Sequence, residues 1–337
     1  MQGTFRELHG IIFQKNDKPR GQIMTTNSSR NPLLALLASL ILPGLGQIYN
    51  GQFLKGLFLG LSLVVMAPVA TWLALHSSKH LILLVLILFM VLAMVIYLFS
   101  LVDAYRSAKR TGTDHRPTAI NRPYVYFVLV IVGYLLVFGG FHFIGKHLMQ
   151  TYQMTSSGML PNVLPGDDVL VDKRDNCRGC KGHLLHGNLV VFVSPKDHHT
   201  VELERVIGLP GDEIVIKGTH ITLNGVPMRS EDVTEFSHAE VNNLLETHSA
   251  WREKCSKAVY AVVSPKNVTI HADTRFTVPA GQLYVLNDNR GDVDYSLQSN
   301  AISMAAVIGV AKQAWLSKDM QHGMRWWRTG FPVEANY

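Results

Sequence analysis

The sequence predicts an N-terminal α-helical transmembrane region followed by an all-β domain. Apolar residues concentrate in the first 145 positions, and only 17% of the 337 residues are charged, a low share for a soluble protein. After Lys146 the apolar runs become short and alternate with polar residues between Gly and Pro turns, which is typical of β-strands. We therefore expect a cytoplasmic tail at 1–30, a membrane domain at 31–145 and an extracytoplasmic β domain at 146–337.

Three segments of the membrane domain are long enough to span a bilayer. They cover residues 56–75, 81–102 and 124–144, and each meets the requirement of about 20 apolar residues for a ~30 Å hydrocarbon core. A fourth stretch, 33–42, is shorter and ends in Pro43-Gly44-Leu45-Gly46-Gln47. It is interpreted as a re-entrant or interfacial segment, which gives three or four hydrophobic segments in all.

The basic residues predict the orientation. Five of them crowd the connection after the second span: Arg106, Lys109, Arg110, Arg116 and Arg122. Such a loop is cytoplasmic by the positive-inside rule, so the C-terminal half lies outside. A basic N-terminus on the inside needs three crossings, whereas four would place it outside, and we favour three. The lipid bilayer is thus a partner, and nucleic acid is not expected because no basic stripe with interleaved aromatics is present.

The glycine-rich turn resembles a small bacterial membrane module with a Pro-Gly-x-Gly-Gln-x-Tyr pattern. Here it runs from Pro43 to Tyr49 and is followed by Gly51 and Gly56. Glycines allow helices to approach closely, so the turn is interpreted as a packing device.

The β domain is predicted from short strand-like runs. These are 168–172, 188–193, 213–217, 220–225, 268–270, 275–279, 282–286 and 305–310. The segment 230–258 is polar and contains one helix-like stretch.

Three sequence blocks follow the membrane region in order. The first is Ser156-Ser157-Gly158-Met159-Leu160-Pro161 with Gly166-Asp167, and the second is Glu204-Arg205-Val206-Ile207-Gly208-Leu209-Pro210-Gly211-Asp212. The third joins Val278-Pro279-Ala280-Gly281-Gln282-Leu283-Tyr284 to Asn287-Asp288-Asn289-Arg290 and Asp294. Together they resemble the type I signal peptidase family over nearly all of 147–315. The β domain is accordingly expected to be signal-peptidase-like.

The resemblance implies a serine peptidase that acts on the signal peptides of exported pre-proteins. Members of the family cut after small residues at the −3 and −1 positions, on the outer face of the cytoplasmic membrane. A buried Lys loses its proton readily and serves as general base for a Ser nucleophile. A backbone N–H and a second Ser hydroxyl hold the oxyanion. This chemistry implies no cofactor. The resemblance also assigns Met159 and Pro161 to substrate binding, and Asp288, Arg290 and Asp294 to structural support.

The chain departs from the family pattern at the two residues of the catalytic dyad. When Met159 and Pro161 are aligned with the family's Ser-x-Ser-Met-x-Pro, Gly158 takes the place of the nucleophile and Ser156 that of the oxyanion serine. Glu204 stands where the family has its Lys. A carboxylate with an ordinary pKa of roughly 4.3 is a poor base for an alcohol. The substitutions predict a catalytically impaired homologue that still accepts an extended peptide.

An active enzyme is the alternative. Ser157 lies one residue from the expected position, and a local bulge would bring its Oγ forward as a shifted nucleophile. The third block differs as well, because Asn287 replaces the family's Gly and Asp294 fits the later Asp only with a one-residue gap. The sequence leaves open whether the protein is an enzyme.

A compact cysteine and histidine cluster precedes the second block. Cys177, Cys180, His183 and His186 have a spacing that could close a tetrahedral zinc site. A Cys177–Cys180 disulfide is favoured over zinc because the segment is expected to face an oxidising compartment. In that case Cys255 is the remaining cysteine and has no partner for a disulfide.

Overall fold

The structure is a computed structural model. It describes residues 30–77, 81–111, 122–174, 184–195, 197–268, 273–291, 296, 300–319 and 323–333. Five helices precede the β domain: α1 (Pro32–Ile41), α2 (Leu45–Tyr49), α3 (Phe53–His76), α4 (Ile82–Thr111) and α5 (Pro123–Phe143). A π-helical turn, Ile144–Leu148, extends α5. The predicted fold class, apolar helices followed by a β domain, is confirmed.

Among the described residues, three helical stretches are long and apolar enough to cross a membrane: Phe53–His76, Ile82–Arg110 and Pro123–Leu148. They coincide with the three predicted segments. The earlier helix α1 has ten residues, which at 1.5 Å per residue is about 15 Å, half of a hydrocarbon core. Its start is fixed by Asn31, whose Oδ1 accepts the backbone N–H of Leu33 at 2.9 Å.

The chain forms two compact units, one within Met1–Gly60 and Tyr97–Val130 and the other within Leu61–Ile96 and Ile131–Tyr337. In the first unit the glycine turn packs backbone against backbone. A Cβ on Gly44 would lie 2.0 Å from the carbonyl oxygen of Gly56, and a Cβ on Gly56 2.3 Å from that of Gly44. Gly44 also has a φ of +93°, which favours glycine. The interpretation of the turn as a packing device is confirmed.

The β domain contains three antiparallel sheets among the described residues. The first part of the chain supplies β1 (Met149–Gln153), β2 (Asp167–Asp172), β3 (Leu189–Val193), β4 (Val201–Gly208), β5 (Glu213–Lys217), β6 (His220–Leu223), β7 (Val226–Pro227) and β8 (Arg229–Asp232). After two short helices, α6 (Ala239–Asn242) and α7 (Leu244–Thr247), come β9 (His248–Cys255), β10 (Ala258–Pro265), β11 (Asp273–Thr277), β12 (Gln282–Leu286), β13 (Ala301–Ser303), β14 (Val307–Asp319), β15 (Gly323–Met324) and β16 (Phe331–Pro332).

The largest sheet carries the site. Its strand order is β1-β2-β14-β3-β4-β12-β13, and β15 and β16 also pair with β14. The smaller sheets have the orders β10-β9-β8 and β11-β5-β6-β7. Side chains alternate across β3, so that Leu189 and Val191 enter one buried cluster and Val190 and Phe192 another. Both faces of the central strands are therefore covered.

Most predicted strands are present. β2, β3, β5, β6, β11 and β12 match the predicted runs, and the last predicted run begins the much longer β14. Residues 269–270 of the run at 268–270 lie outside the described residues. The polar segment 230–258 was expected to hold one helix-like stretch, and it contains two four-residue helices, most of β8 and all of β9.

The end of α3 and the start of α4 pack on the β domain within the second unit. Ala74 and Ile82 form a buried cluster with Leu170 of β2. Arg174 donates to the carbonyl oxygen of Leu75 at 2.7 Å and lies 2.8 Å from Nδ1 of His76. Its Nη2 also pairs with the Asp172 carboxylate at 2.7 Å. These contacts join the end of α3 to the β domain.

Candidate active site

The first sequence block forms a closed loop between β1 and β2. The backbone N–H of Met154 donates to the Asp167 carbonyl at 2.8 Å, and that of Gly166 donates to the Met154 carbonyl at 2.6 Å, which closes the base of the loop. Met159, 5% exposed, and Val163 anchor its underside in the cluster that contains Leu189 and Val191. The loop therefore presents Ser156 and Ser157 on the exposed side.

Local hydrogen bonds fix the tip of the loop. The Gly158 N–H donates to Ser156 Oγ at 3.0 Å, so the hydroxyl assigned to the oxyanion accepts a hydrogen bond within its own loop. Asn289, three residues after the end of β12, holds the loop in place. Its backbone N–H donates to the Gly158 carbonyl at 2.8 Å. Its Nδ2 donates to the Ser157 carbonyl at 3.3 Å.

The space above Gly158 is occupied by Asn287. A Cβ built on Gly158 would lie 2.9 Å from Asn287 Oδ1 and 3.1 Å from its Cγ. The first of these distances is shorter than real Cβ contacts allow. The side chain of Asn287 thus crowds the position of a Cβ at residue 158, and a side chain there would require the Asn287 carboxamide to shift.

Glu204 lies on β4, at the end of the ladder that joins β4 to β12. The last pair of that ladder is Leu286 with Arg205, so the next residues outward, Asn287 and Glu204, face each other across the strands. Glu204 also pairs with Val190 of β3 and is partly buried. The register brings Gly158, Asn287 and Glu204 to one end of the β4–β12 ladder.

A buried ion pair lies directly beneath this end of the ladder. Arg205 Nε and Nη2 donate to the two oxygens of Asp288 at 2.7 and 2.5 Å, and both side chains are fully buried. Arg205 Nη1 donates to the Gly187 carbonyl at 2.7 Å, and its guanidinium stacks 4.0 Å from the Tyr260 ring centroid. Burial lowers the pKa of Arg205, but the Asp288 carboxylate outweighs burial and leaves that pKa raised. Arg205 is therefore a permanent cation under the loop.

Comparison with known proteins now identifies the family. The family model described as "Signal peptidase, peptidase S26" matches residues 124–316, more than half of the chain. The chain belongs to the signal peptidase (peptidase S26) family. The matched residues begin in α5, so they leave out α1 to α4.

Individual relatives carry the same description. Signal peptidase I of Buchnera aphidicola subsp. Acyrthosiphon pisum is 23% identical over 256 residues, covering 62% of this chain and 80% of that protein. Signal peptidase I of Pseudomonas aeruginosa is 26% identical over 191 residues, covering 50% of this chain and 66% of that protein. A crystal structure of a signal peptidase I from Enterococcus faecalis aligns with a TM-score of 0.25 and 23% identity, covering 38% of this chain and 95% of that one.

Arg290, expected to be structural in this family, is part of a second buried network. Its Nη2 donates to Glu253 Oε2 at 2.7 Å, and both side chains are almost fully buried. Glu253 also accepts from the Tyr260 hydroxyl and from Trp251 Nε1, each at 3.2 Å. Sequence reasoning missed Glu253, because an alternating charged strand gives no signal of which acidic side chain is buried.

Cys255 lies against the same network. Its thiol donates to the Ile207 carbonyl at 3.5 Å. Burial, together with the nearby Glu253 carboxylate, raises the pKa of Cys255 to about 12. Since the thiolate is the reactive form, Cys255 is an inert core residue.

The predicted substrate-binding residues Met159 and Pro161 are both buried in the loop. They support the backbone that carries Ser156 to Gly158. Asp294 lies outside the described residues, so its predicted structural role stays a prediction.

The predicted cysteine and histidine cluster falls mostly outside the described residues, which exclude Cys177, Cys180 and His183. His186 is described, and its Nε2 lies 2.6 Å from Asp212 Oδ2. Burial raises the pKa of Asp212, but hydrogen bonds from Asn224, His186 and the Leu209 N–H lower it below its ordinary value. Within the described ranges no group of three or more His, Cys, Asp or Glu could hold a metal ion, and disulfide against zinc stays a prediction.

Proposed function

We propose that this protein is a membrane-anchored type I signal peptidase homologue that binds signal peptides of exported pre-proteins without cleaving them. The observation that carries the proposal is Asn287. Its carboxamide oxygen lies 2.9 Å from the position of a Cβ at residue 158, so a nucleophilic side chain there would have to displace it. The site has therefore not simply lost a hydroxyl group, because a polar group from the third block crowds that position.

The second dyad position supports the same proposal. Glu204 offers a carboxylate where the chemistry needs a neutral amine, and a carboxylate lacks the basicity to deprotonate an alcohol. The Ser156 hydroxyl, which the resemblance assigns to the oxyanion, accepts the Gly158 N–H at 3.0 Å. The residues at the nucleophile and base positions are thus both replaced, while the buried ion pair of Arg205 and Asp288 is present.

We place the protein in the cytoplasmic membrane with three crossings and the β domain outside. The basic end of α4, with Lys109 and Arg110, favours the cytoplasm. α5 then leads outward to β1. The contact between Arg174 and Leu75 is consistent with this arrangement, because it requires the end of α3 and the β domain to share one side.

An active peptidase with Ser157 as nucleophile is the competing proposal. Ser157 is exposed, and Asn289 binds its backbone carbonyl rather than its hydroxyl. The backbone of Ser157 is therefore held in place by Asn289, while the Ser157 side chain is exposed to solvent.

One experiment separates the two proposals. Full-length protein in nanodiscs would be mixed with a fluorescent pre-protein carrying a small-x-small site, and both binding and cleavage would be measured. We expect saturable binding and no cleavage product. Cleavage by the parent that is lost in Ser157→Ala, but kept in the exposed control Ser237→Ala, would establish the shifted nucleophile. Absence of binding would reject the capture of signal peptides.

A further inference from the structure

A polar pocket lies in the first compact unit, between the start of α3 and the end of α4. Its volume is about 400 Å³. It is lined by Gln52, Lys55, Phe99, Val102, Asp103, Arg106, Ser107 and Arg110. These residues lie outside 124–316, so the pocket belongs to a part of the chain that the family model does not match.

The pocket has an excess of positive charge. Its one carboxylate, Asp103, accepts from Lys55 Nζ at 2.7 Å and from Gln47 Nε2 at 3.2 Å, so Lys55 is neutralised within the wall. Arg106 and Arg110 follow one helical turn apart on α4, and both are exposed. Within the described part of the chain neither guanidinium has a hydrogen bond or ion pair. The guanidinium groups of Arg106 and Arg110 therefore line the pocket with no carboxylate paired to them among the described residues.

The position of the pocket along α4 corresponds to the level of the phospholipid headgroups. The uncharged part of α4 runs from Ile82 to Val102, which at 1.5 Å per residue is about 30 Å, one hydrocarbon thickness. The two arginines begin just past this length. On the membrane side the wall is formed by Phe99 and Val102, which are 52% and 47% exposed. The apolar side chains thus lie next to the cationic ones, in the order in which the acyl chains and the phosphate of a glycerophospholipid would contact them.

A buried acceptor in the wall favours a headgroup that also donates hydrogen bonds. Gln52 Nε2 donates to Ser107 Oγ at 2.8 Å. Its Oε1 is buried and has no hydrogen-bond partner among the described residues. An unpaired buried carbonyl oxygen is costly, and a hydroxyl group from a ligand would satisfy it.

We propose that this pocket binds the headgroup of an anionic glycerophospholipid, with the phosphate on Arg106 and Arg110 and a headgroup hydroxyl on Gln52. Arginine forks match phosphate oxygens in a bidentate geometry. Basic pockets between helices on the cytoplasmic side suit such lipids. The ligand would stabilise the packing of α3 against α4 at the end where the glycine turn meets them.

The test uses the full-length protein in phosphatidylcholine nanodiscs with increasing fractions of phosphatidylglycerol, and measures the midpoint of thermal unfolding. We expect phosphatidylglycerol to raise the midpoint. The lipid fraction that gives half of the rise should increase about fivefold for each arginine changed in Arg106→Gln and Arg110→Gln. Lys109→Gln is the matched control, because it removes the same charge from the same helical turn but does not line the pocket. It should behave like the parent.

Further arms separate the sources of phosphate and the structural role of the side chains. Inorganic phosphate added to pure phosphatidylcholine nanodiscs should not raise the midpoint; a rise that equals that of the lipid would overturn the assignment to a lipid. Arg106→Lys keeps the charge and should retain more of the effect than Arg106→Gln. An equal loss in Lys109→Gln would indicate general surface attraction and reject the pocket.

Discussion

The Asn287 carboxamide oxygen lies 2.9 Å from the point where a Cβ on Gly158 would stand. The two positions come from different sequence blocks, and each departs from the family pattern. A small residue replaces the expected serine, and a larger one replaces the expected glycine. The two changes compensate in volume, so each is expected to be tolerated only in the presence of the other.

This relationship predicts coupling between Gly158→Ser and Asn287→Gly. Gly158→Ser alone should destabilise the protein by about 1–3 kcal/mol, because the new side chain overpacks against Asn287. In the Asn287→Gly background the same change should cost at least about 1 kcal/mol less. A double-mutant cycle based on unfolding midpoints, followed by Trp fluorescence, measures the difference. Additive effects would show that the two side chains do not compete for space.

Restoration of activity is expected to need three changes. Gly158→Ser supplies the hydroxyl, Asn287→Gly opens the space, and Glu204→Lys supplies an amine that partial burial helps to deprotonate. The triple variant should cleave a small-x-small pre-protein, while Glu204→Lys alone should not. Activity in the single Glu204→Lys variant would mean that another hydroxyl, such as that of Ser157, attacks the substrate.

Loss of Asp288 should be severely destabilising. Asp288→Ala leaves Arg205 charged, fully buried and without its carboxylate, a change that costs about 3–5 kcal/mol in comparable sites. The thermal midpoint of the β domain should fall by on the order of 10 °C. Asp232→Ala is the control, since Asp232 pairs with Arg229 but is 70% exposed, and it should shift the midpoint little. Equal effects of the two variants would contradict the role of burial.

Asp212 should make stability depend on acidic pH. Burial raises its pKa, but the hydrogen bonds outweigh burial and hold the folded value below the ordinary 3.8. Its contribution is therefore present above about pH 4 and is lost as the pH falls through the folded pKa. Asp212→Asn should lower the unfolding midpoint at pH 7, and the difference from the parent should shrink below about pH 4. Asp273→Asn, at an exposed carboxylate, is the control and should leave the unfolding midpoint at pH 7 near that of the parent.

Much of the architecture could be predicted from the sequence because the signals are local. Long apolar runs predicted α3, α4 and α5, and alternating runs predicted strands such as β5 and β12. By contrast, β9 was not predicted, because its sequence contains several charged residues. In the structure it is a strand in which Trp251 and Glu253 are buried and Arg252 is exposed. Periodicity cannot distinguish a buried ion pair from a solvated charge.

The site was predicted only in part. The sequence identified Gly158, Glu204 and Asn287 as departures from a family pattern, each in its own block. It could not reveal that Asn287 crowds Gly158, because this relation depends on how the loop between β1 and β2 lies against the residues that follow β12. The bond between Ser156 Oγ and the Gly158 N–H likewise depends on a loop conformation that Asn289 holds from a distant strand end.

The contact of Arg174 with Leu75 and His76 gives the β domain a second point of attachment besides α5. A domain on a single tether swivels freely, whereas one held at two points keeps a set height and tilt above the lipid surface. Two points of attachment therefore fix the distance between the β domain and the membrane ends of the helices. If the protein binds signal peptides as proposed, this fixed position would favour chains whose extended segment reaches the loop between β1 and β2, whether or not those chains are cut.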